Sequence, residues 1–186
     1  MKLIYILLII LSFGFCLAQD YESYSLVPPY DIADWASHLE PEQRDRLEVT
    51  IKNGLLYREG KLYSTTTKDT KSGIFVISED KKLYVSHQHD IYKFRHSSFL
   101  SGDKILAAGE IIIHEGKIIV MNNNSGHYLP ASDSVYTFDE ILMLKGYEGF
   151  YGKHPYKGIT YSLEQRYNSY TLEQLLKINS CDFLLM

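Results

Sequence analysis

Apolar and polar positions change period several times along this chain, and each change marks an element. Residues 48–51 alternate as a strand, and Asn53-Gly54 follows. That pair is the best sequence signal for a two-residue hairpin, because both central positions need positive φ. Residues 55–58 return, Glu59-Gly60 turns the chain again, and 61–64 continue. After a polar loop over 65–72, Ile74-Phe75-Val76-Ile77 reads as a buried strand. Residues 79–81 form a turn, and Leu83-Tyr84-Val85 is the return strand. Residues 92–94 start a further strand leading into His96. The clearest hairpin joins 110–114 to 117–121 through Glu115-Gly116, and its Ile- and Val-rich arms suggest that both faces are covered.

Helical spacing is confined to the flanks. Ile32, Trp35, Ala36 and Leu39 fall near i, i+3, i+4, i+7. Pro41 breaks that pattern and opens a second short helix to about residue 47. Val135, Phe138, Ile141 and Leu142 share one face of a helix capped by Ser132 or Asp133 and ended by Gly146. Residues 171–178 form a short helix, with Thr171 and Gln174 in capping-box positions. No strand-helix-strand alternation occurs. The expected class is therefore α+β, an antiparallel hairpin-rich sheet with N- and C-terminal helices packed on it.

The N-terminus carries a signal of its own. Lys2, the apolar run over 4–11 and Cys16-Leu17-Ala18 read as a secretory signal peptide over 1–18, cut after Ala18. The run is shorter than the roughly 20 residues of a membrane span. Phe15 stands where a lipid attachment at Cys16 would need a small residue. The remaining organisation is an arm with helices over 19–47, a β-rich core domain over 48–148, and a Tyr-rich tail over 149–186 whose short helix docks on the core. The expected location is secreted or periplasmic.

Composition narrows the partners. The formal charge is −4, or −5 once Lys2 is removed, and there is no basic block. Nucleic acid is excluded as a partner, and so is membrane after signal removal. Only Cys181 remains beyond residue 18, so no intrachain disulfide forms. A domain of this size buries enough core to do without one. Tyrosine outnumbers phenylalanine, 16 to 8, which suits half-buried sheet surfaces with a wet edge.

Candidate chemistry gathers between 94 and 130, where hydroxyls, histidines and a carboxylate interrupt apolar runs. His96, Ser97, Ser98, Glu110, His127 and Tyr128 form the candidate site. A histidine beside a hydroxyl can activate a serine nucleophile if a third group orients the ring, and Glu110 could be that group or act as a general acid-base itself. A hydrolase, an acyltransferase or an ADP-ribosyl-type transferase would follow. Glycine at 126 is expected to serve a backbone shape or close approach that a side chain would block. The same residues could instead form a satisfied polar network without chemistry, or a surface that binds a ligand or protein. His87, His89, His96, His114 and His127 lie within 41 residues, but no cysteine or carboxylate pair completes a metal site. Neither metal nor cofactor is expected.

These stretches also carry a family resemblance. The pieces are Ile74-Phe75-Val76-Ile77-Ser78, Leu83-Tyr84-Val85, Phe94 with His96-Ser97-Ser98-Phe99-Leu100-Ser101-Gly102, Ala107-Ala108-Gly109, Gly116-Lys117 and Ser125-Gly126-His127-Tyr128-Leu129-Pro130. Over roughly 45–148 the chain resembles the conserved C-terminal domain of the plant IQ-motif-containing (IQM-type) calmodulin-binding proteins and its bacterial relatives. The resemblance implies no established chemistry. In the plant proteins the IQ segment lies outside this domain, and this sequence has no isoleucine-glutamine start with correctly spaced arginines. Calmodulin binding is not expected, and the partner is an unknown ligand or protein.

Overall fold

Three turns shape the sheet, and each uses the left-handed backbone that its sequence signals. Asn53 and Gly54 have φ of 50° and 74°, Glu59 and Gly60 48° and 76°, and Glu115 and Gly116 47° and 76°. The computed structural model describes residues 20–27, 38–67, 72–87, 93–149, 171, 173 and 174. Its elements are α1 (Pro41–Asp45), β1 (Glu48–Lys52), β2 (Leu55–Arg58), β3 (Lys61–Leu62), β4 (Gly73–Ser78), β5 (Leu83–Ser86), α2 (His96–Phe99), β6 (Ile105–His114), β7 (Lys117–Met121) and α3 (Ser134–Leu144). The seven strands form one antiparallel sheet in the order β3-β2-β1-β5-β4-β6-β7.

The sheet has apolar groups on both faces, which is why β4 is buried at every position. On one face Phe75, Ile77, Val85, Ile111 and Ile113 cluster with Val135, Phe138, Ile141 and Leu142 of α3. Phe75 and Phe138 meet with ring centroids 4.7 Å apart. On the other face Ile74, Val76, Ile105 and Ala108 cluster with Phe94, Phe99, Leu100 and Tyr128. The arm over 20–27 runs beside β6, with Tyr21 packed against the first cluster and Tyr24 and Leu26 against the second. Tyr24 pairs with Ile105, and the Val27 amide donates to the His127 carbonyl at 2.9 Å.

The sheet also curls until its far ends are stitched together. The Leu56 amide donates to Gly116 O at 3.0 Å, Gly116 to Tyr63 O at 2.8 Å, and Thr65 to Ile113 O at 2.9 Å. The buried Thr65 hydroxyl accepts the Ile113 amide at 2.9 Å. Backbone groups that would lie open at a sheet edge are thereby satisfied.

Several expectations change here. The expected class stands in its coarse form, mostly antiparallel sheet with a few helices. Of its N-terminal helices the described part is α1, which is five residues long and buries none of them, so α1 contributes no packed face. The pattern over 31–37 lies outside the described residues, as do residues 1–19, His89 and the 183–186 segment. Of the helix expected over 171–178, the described part shows the reciprocal cap. The Thr171 amide donates to Gln174 Oε1 at 2.7 Å, and the Gln174 amide to Thr171 Oγ1 at 3.2 Å. Asp133 precedes α3 without a side-chain capping bond, because its backbone is already helical at φ −78° and ψ −14°. Gly146, at φ 82°, ends α3 as its position suggests. Among the described residues, no helix is long and apolar enough to cross a membrane.

Candidate functional site

Two local features place the candidate residues. The segment expected as a loop at His96 is α2, one helical turn, with the Ser98 hydroxyl accepting the Arg95 amide at 3.0 Å. That bond satisfies an amide at the helix start, the ordinary use of serine there. The second feature is the length of β6. Ala107, Ala108 and Gly109 lie inside the strand, not in a connection, because they pair with Ile77, Val76 and Phe75 of β4. Glu110 therefore sits mid-strand and not at the start of a hairpin.

Gly109 is the hinge point of the arrangement. A Cβ there would lie 1.8 Å from the Asn122 carbonyl oxygen and 3.0 Å from Asn123 Cα. The chain leaving β7 passes that close, and its Asn122 amide donates to Glu110 O at 3.0 Å. Asn122 also turns its side chain to Glu110, while its Oδ1 accepts the Asn124 amide at 2.9 Å as well. Its Oδ1 accepts the Glu110 amide at 2.9 Å, and its Nδ2 donates to Glu110 Oε2 at 3.1 Å. Asn124 Nδ2 approaches Glu110 Oε1 at 3.5 Å. Gly126 has no such constraint. A Cβ there would meet nothing within 4 Å, and its φ is not in the left-handed region, so the close approach expected at Gly126 belongs to Gly109 instead.

The two histidine segments do come together. His96 Nε2 is 3.0 Å from the Gly109 carbonyl, so the imidazole donates from that nitrogen. Arg95 Nη1 is 2.9 Å from His127 Nε2. A guanidinium only donates, so His127 Nε2 is the acceptor and the proton of the neutral ring sits on Nδ1. A hairpin returns its ends to one side of the sheet, and that brings residues 31 apart in sequence into one cluster.

Each remaining candidate is tied down differently. Tyr128 is buried, and its hydroxyl donates to Asp103 O at 2.8 Å. Burial pushes its phenol well above the usual value, and the nearby Asp103 adds to the rise. The Ser97 carbonyl accepts the Gly102 amide at 3.0 Å. Neither Ser97 nor Ser98 hydrogen-bonds an imidazole among the described residues. Exposure then sorts the cluster into layers. Arg95, His96, Ser98, Glu110, Asn122 and Ser125 are buried, while Asn123, Asn124 and His127 are half-buried and Gly126 is exposed. The Ser125 hydroxyl is buried with no hydrogen-bond partner among the described residues. Among those residues no three His, Cys, Asp or Glu side chains converge as metal ligands.

Arg95, Asn122 and Gly109 complete the cluster and were not among the residues singled out from sequence. The clue for Gly109 was available, since a glycine between buried strand residues often marks a close backbone approach. Nothing in the sequence distinguished Arg95 from the other surface-type cations.

Comparison with known proteins places this arrangement. Residues 43–135 match the family described as the IQ motif-containing protein middle domain. The chain is 42% identical over 103 residues to the IQ domain-containing protein IQM5 of Arabidopsis thaliana, covering 55% of this chain and 20% of that protein. It is 38% identical over 106 residues to IQM1 of the same plant, covering 56% of this chain and 21% of that protein. IQM4 is 39% identical over 106 residues, with 56% and 20% covered. The chain thus spans about a fifth of the length of these relatives. No solved structure matches.

Proposed function

The chain belongs to the IQ motif-containing protein middle-domain family, and on that premise we propose that it is a binding module whose recognition element is the loop surface of Asn123, Asn124 and His127, over the buried Ser125 hydroxyl and backed by Arg95. The observation that carries this reading is how the hydrogen-bonding capacity is divided. The buried candidates are committed to the scaffold: His96 to Gly109 O, Ser98 to the Arg95 amide and Tyr128 to Asp103 O. His127 and Asn124 are only half-buried, each holding one bond inward, to Arg95 and to Glu110, and the buried Ser125 hydroxyl beneath them holds unused capacity. A rigid scaffold with polar groups on its loops is the usual layout of a recognition site.

Site chemistry follows from that division. Asn123 Nδ2 is spent on Pro130 O and Ala131 O and Asn124 Nδ2 on Glu110, so the two asparagines offer their side-chain oxygens beside the neutral imidazole, and Arg95 adds positive charge behind them. A polar ligand or an exposed loop of a partner protein suits this set. The matched stretch is the middle domain, and the chain has no isoleucine-glutamine start, so no calmodulin contact is proposed. We also propose that the protein acts outside the cytoplasm, secreted or periplasmic, on the strength of Lys2, the apolar run over 4–11 and Ala18.

A thermal-shift screen of small polar ligands, nicotinamide nucleotides included, tests the binding reading. Ligands that bind only the folded state raise its melting temperature by mass action. His127→Ala should abolish a specific shift while costing less than about 1 kcal/mol of stability, because a half-buried bond contributes modestly. If His127→Ala costs about 3 kcal/mol and no ligand shifts the parent, the cluster is scaffold and the reading fails.

A further inference from the structure

A cavity lies away from the histidine cluster, where α3 meets the sheet. It holds about 270 Å³ and is lined by Val49, Thr50 and Ile51 of β1, Lys81 and Leu83 around the turn into β5, and Leu142 and Lys145 at the end of α3. Val49, Leu83 and Leu142 are buried and make an apolar floor. The polar lining is Thr50 and two lysines, with no carboxylate.

Both cations are set on fixed backbone. Lys81 occupies the turn between β4 and β5 at φ 63°, and its amide donates to Ser78 O at 2.8 Å. Lys145 caps α3, its amide donating to Ile141 O and Leu142 O. Neither forms an ion pair among the described residues, and Lys81 instead approaches the Tyr21 ring, 4.9 Å from its centroid. The neighbouring Lys82 takes both local carboxylates, Glu48 at 3.5 Å and Asp80 at 4.0 Å. A chain of net charge −4 thus places over an apolar floor two cations that have no acidic partner among the described residues.

We propose that this cavity binds a small amphiphilic anion, a monocarboxylate on a compact apolar body. The apolar part replaces water on Val49, Leu83 and Leu142, and the carboxylate takes charge-assisted hydrogen bonds from Lys81 and Lys145. The volume sits just below the usual range for drug-sized ligands, which restricts the body to a short aliphatic chain or one ring. A dicarboxylate would bury its second charge on the apolar floor and is excluded.

The test uses the full chain with sodium octanoate as probe and octanol as its neutral counterpart, followed by amide NMR shifts at low salt. Octanoate should give saturable shifts at Ile51, Leu83, Leu142 and Lys145. The double variant Lys81→Gln/Lys145→Gln should weaken octanoate about fivefold to tenfold, the sum expected of two exposed charge contacts, and leave octanol unchanged. Added salt should weaken octanoate binding to the parent and not octanol binding. Val49→Phe, which fills the floor, should remove both. Equal binding of octanoate to parent and double variant overturns the proposal. So do shifts centred instead on Leu39, Gln43 and Phe94, which line the other cavity of about 390 Å³ with Arg46 and Lys93, or no saturable shift at all.

Discussion

Replacing Gly109 with alanine tests the organisation of the candidate site most directly. The new Cβ would lie 1.8 Å from the Asn122 oxygen, and real Cβ atoms essentially never approach another atom within 3.0 Å. β6 and the segment at 122–123 would have to part by about 1.2 Å or more. β6 has little freedom to retreat, since Gly109 is paired to Phe75 of β4 in the middle of the sheet. Parting strains two bonds that join Glu110 to Asn122, at 3.0 and 2.9 Å, and the His96 bond to the Gly109 carbonyl. Three bonds at about 1 kcal/mol each give about 3 kcal/mol, and overpacking strain of up to about 2 kcal/mol on top takes the expected loss to about 3–5 kcal/mol. That is a large share of a typical stability of about 5–15 kcal/mol. Urea unfolding followed by far-UV circular dichroism measures it, and the melting temperature should fall by about 6–20 °C. Gly126→Ala is the control. Nothing lies within 4 Å of its Cβ, so it should stay within about 0.5 kcal/mol of the parent. Two variants of equal stability would refute the argument that Gly109 sets the geometry.

Two further outcomes follow. Burial, with Asp133 and Glu22 adding to it, raises the Tyr24 phenol to about 12, and Tyr128 and Tyr147 are also raised, mainly by burial. A phenol raised in the folded state adds stability below its unfolded value of about 10, and that contribution is lost as pH climbs through the folded value. Tyrosine ¹³Cζ NMR should show these three rings neutral past pH 11 in the folded protein, and ionisation of all three near pH 10 with the fold intact would contradict the assignment. For export, N-terminal sequencing of the extracellular or periplasmic protein should begin at Gln19, and full-length protein in the cytoplasm alone would defeat that proposal.

Local physics made a good part of this fold legible in the sequence. Asn53-Gly54, Glu59-Gly60 and Glu115-Gly116 fix their turns because few residue pairs tolerate left-handed backbone, and that preference acts without tertiary help. The Ile- and Val-rich arms of the β6–β7 hairpin and the apolar face of α3 follow from periodicity alone. Gly146 ends α3 for the same local reason.

Tertiary structure decided what those elements meet. Periodicity cannot say that Gly109 is pressed by the Asn122 backbone, because the close approach comes from a segment 13 residues on. It cannot say that Arg95, not a serine, reaches His127, since that depends on which side of α2 faces the loop. Nor can it say that the sheet curls until Leu56 and Tyr63 bond Gly116, as twist accumulates over several strands and no window along the chain records it. The residue types of the candidate site were readable from the chain, but their roles were not. A hydrogen bond is chosen by distance and direction, and for these residues both are set by pairings between parts of the chain far apart in sequence.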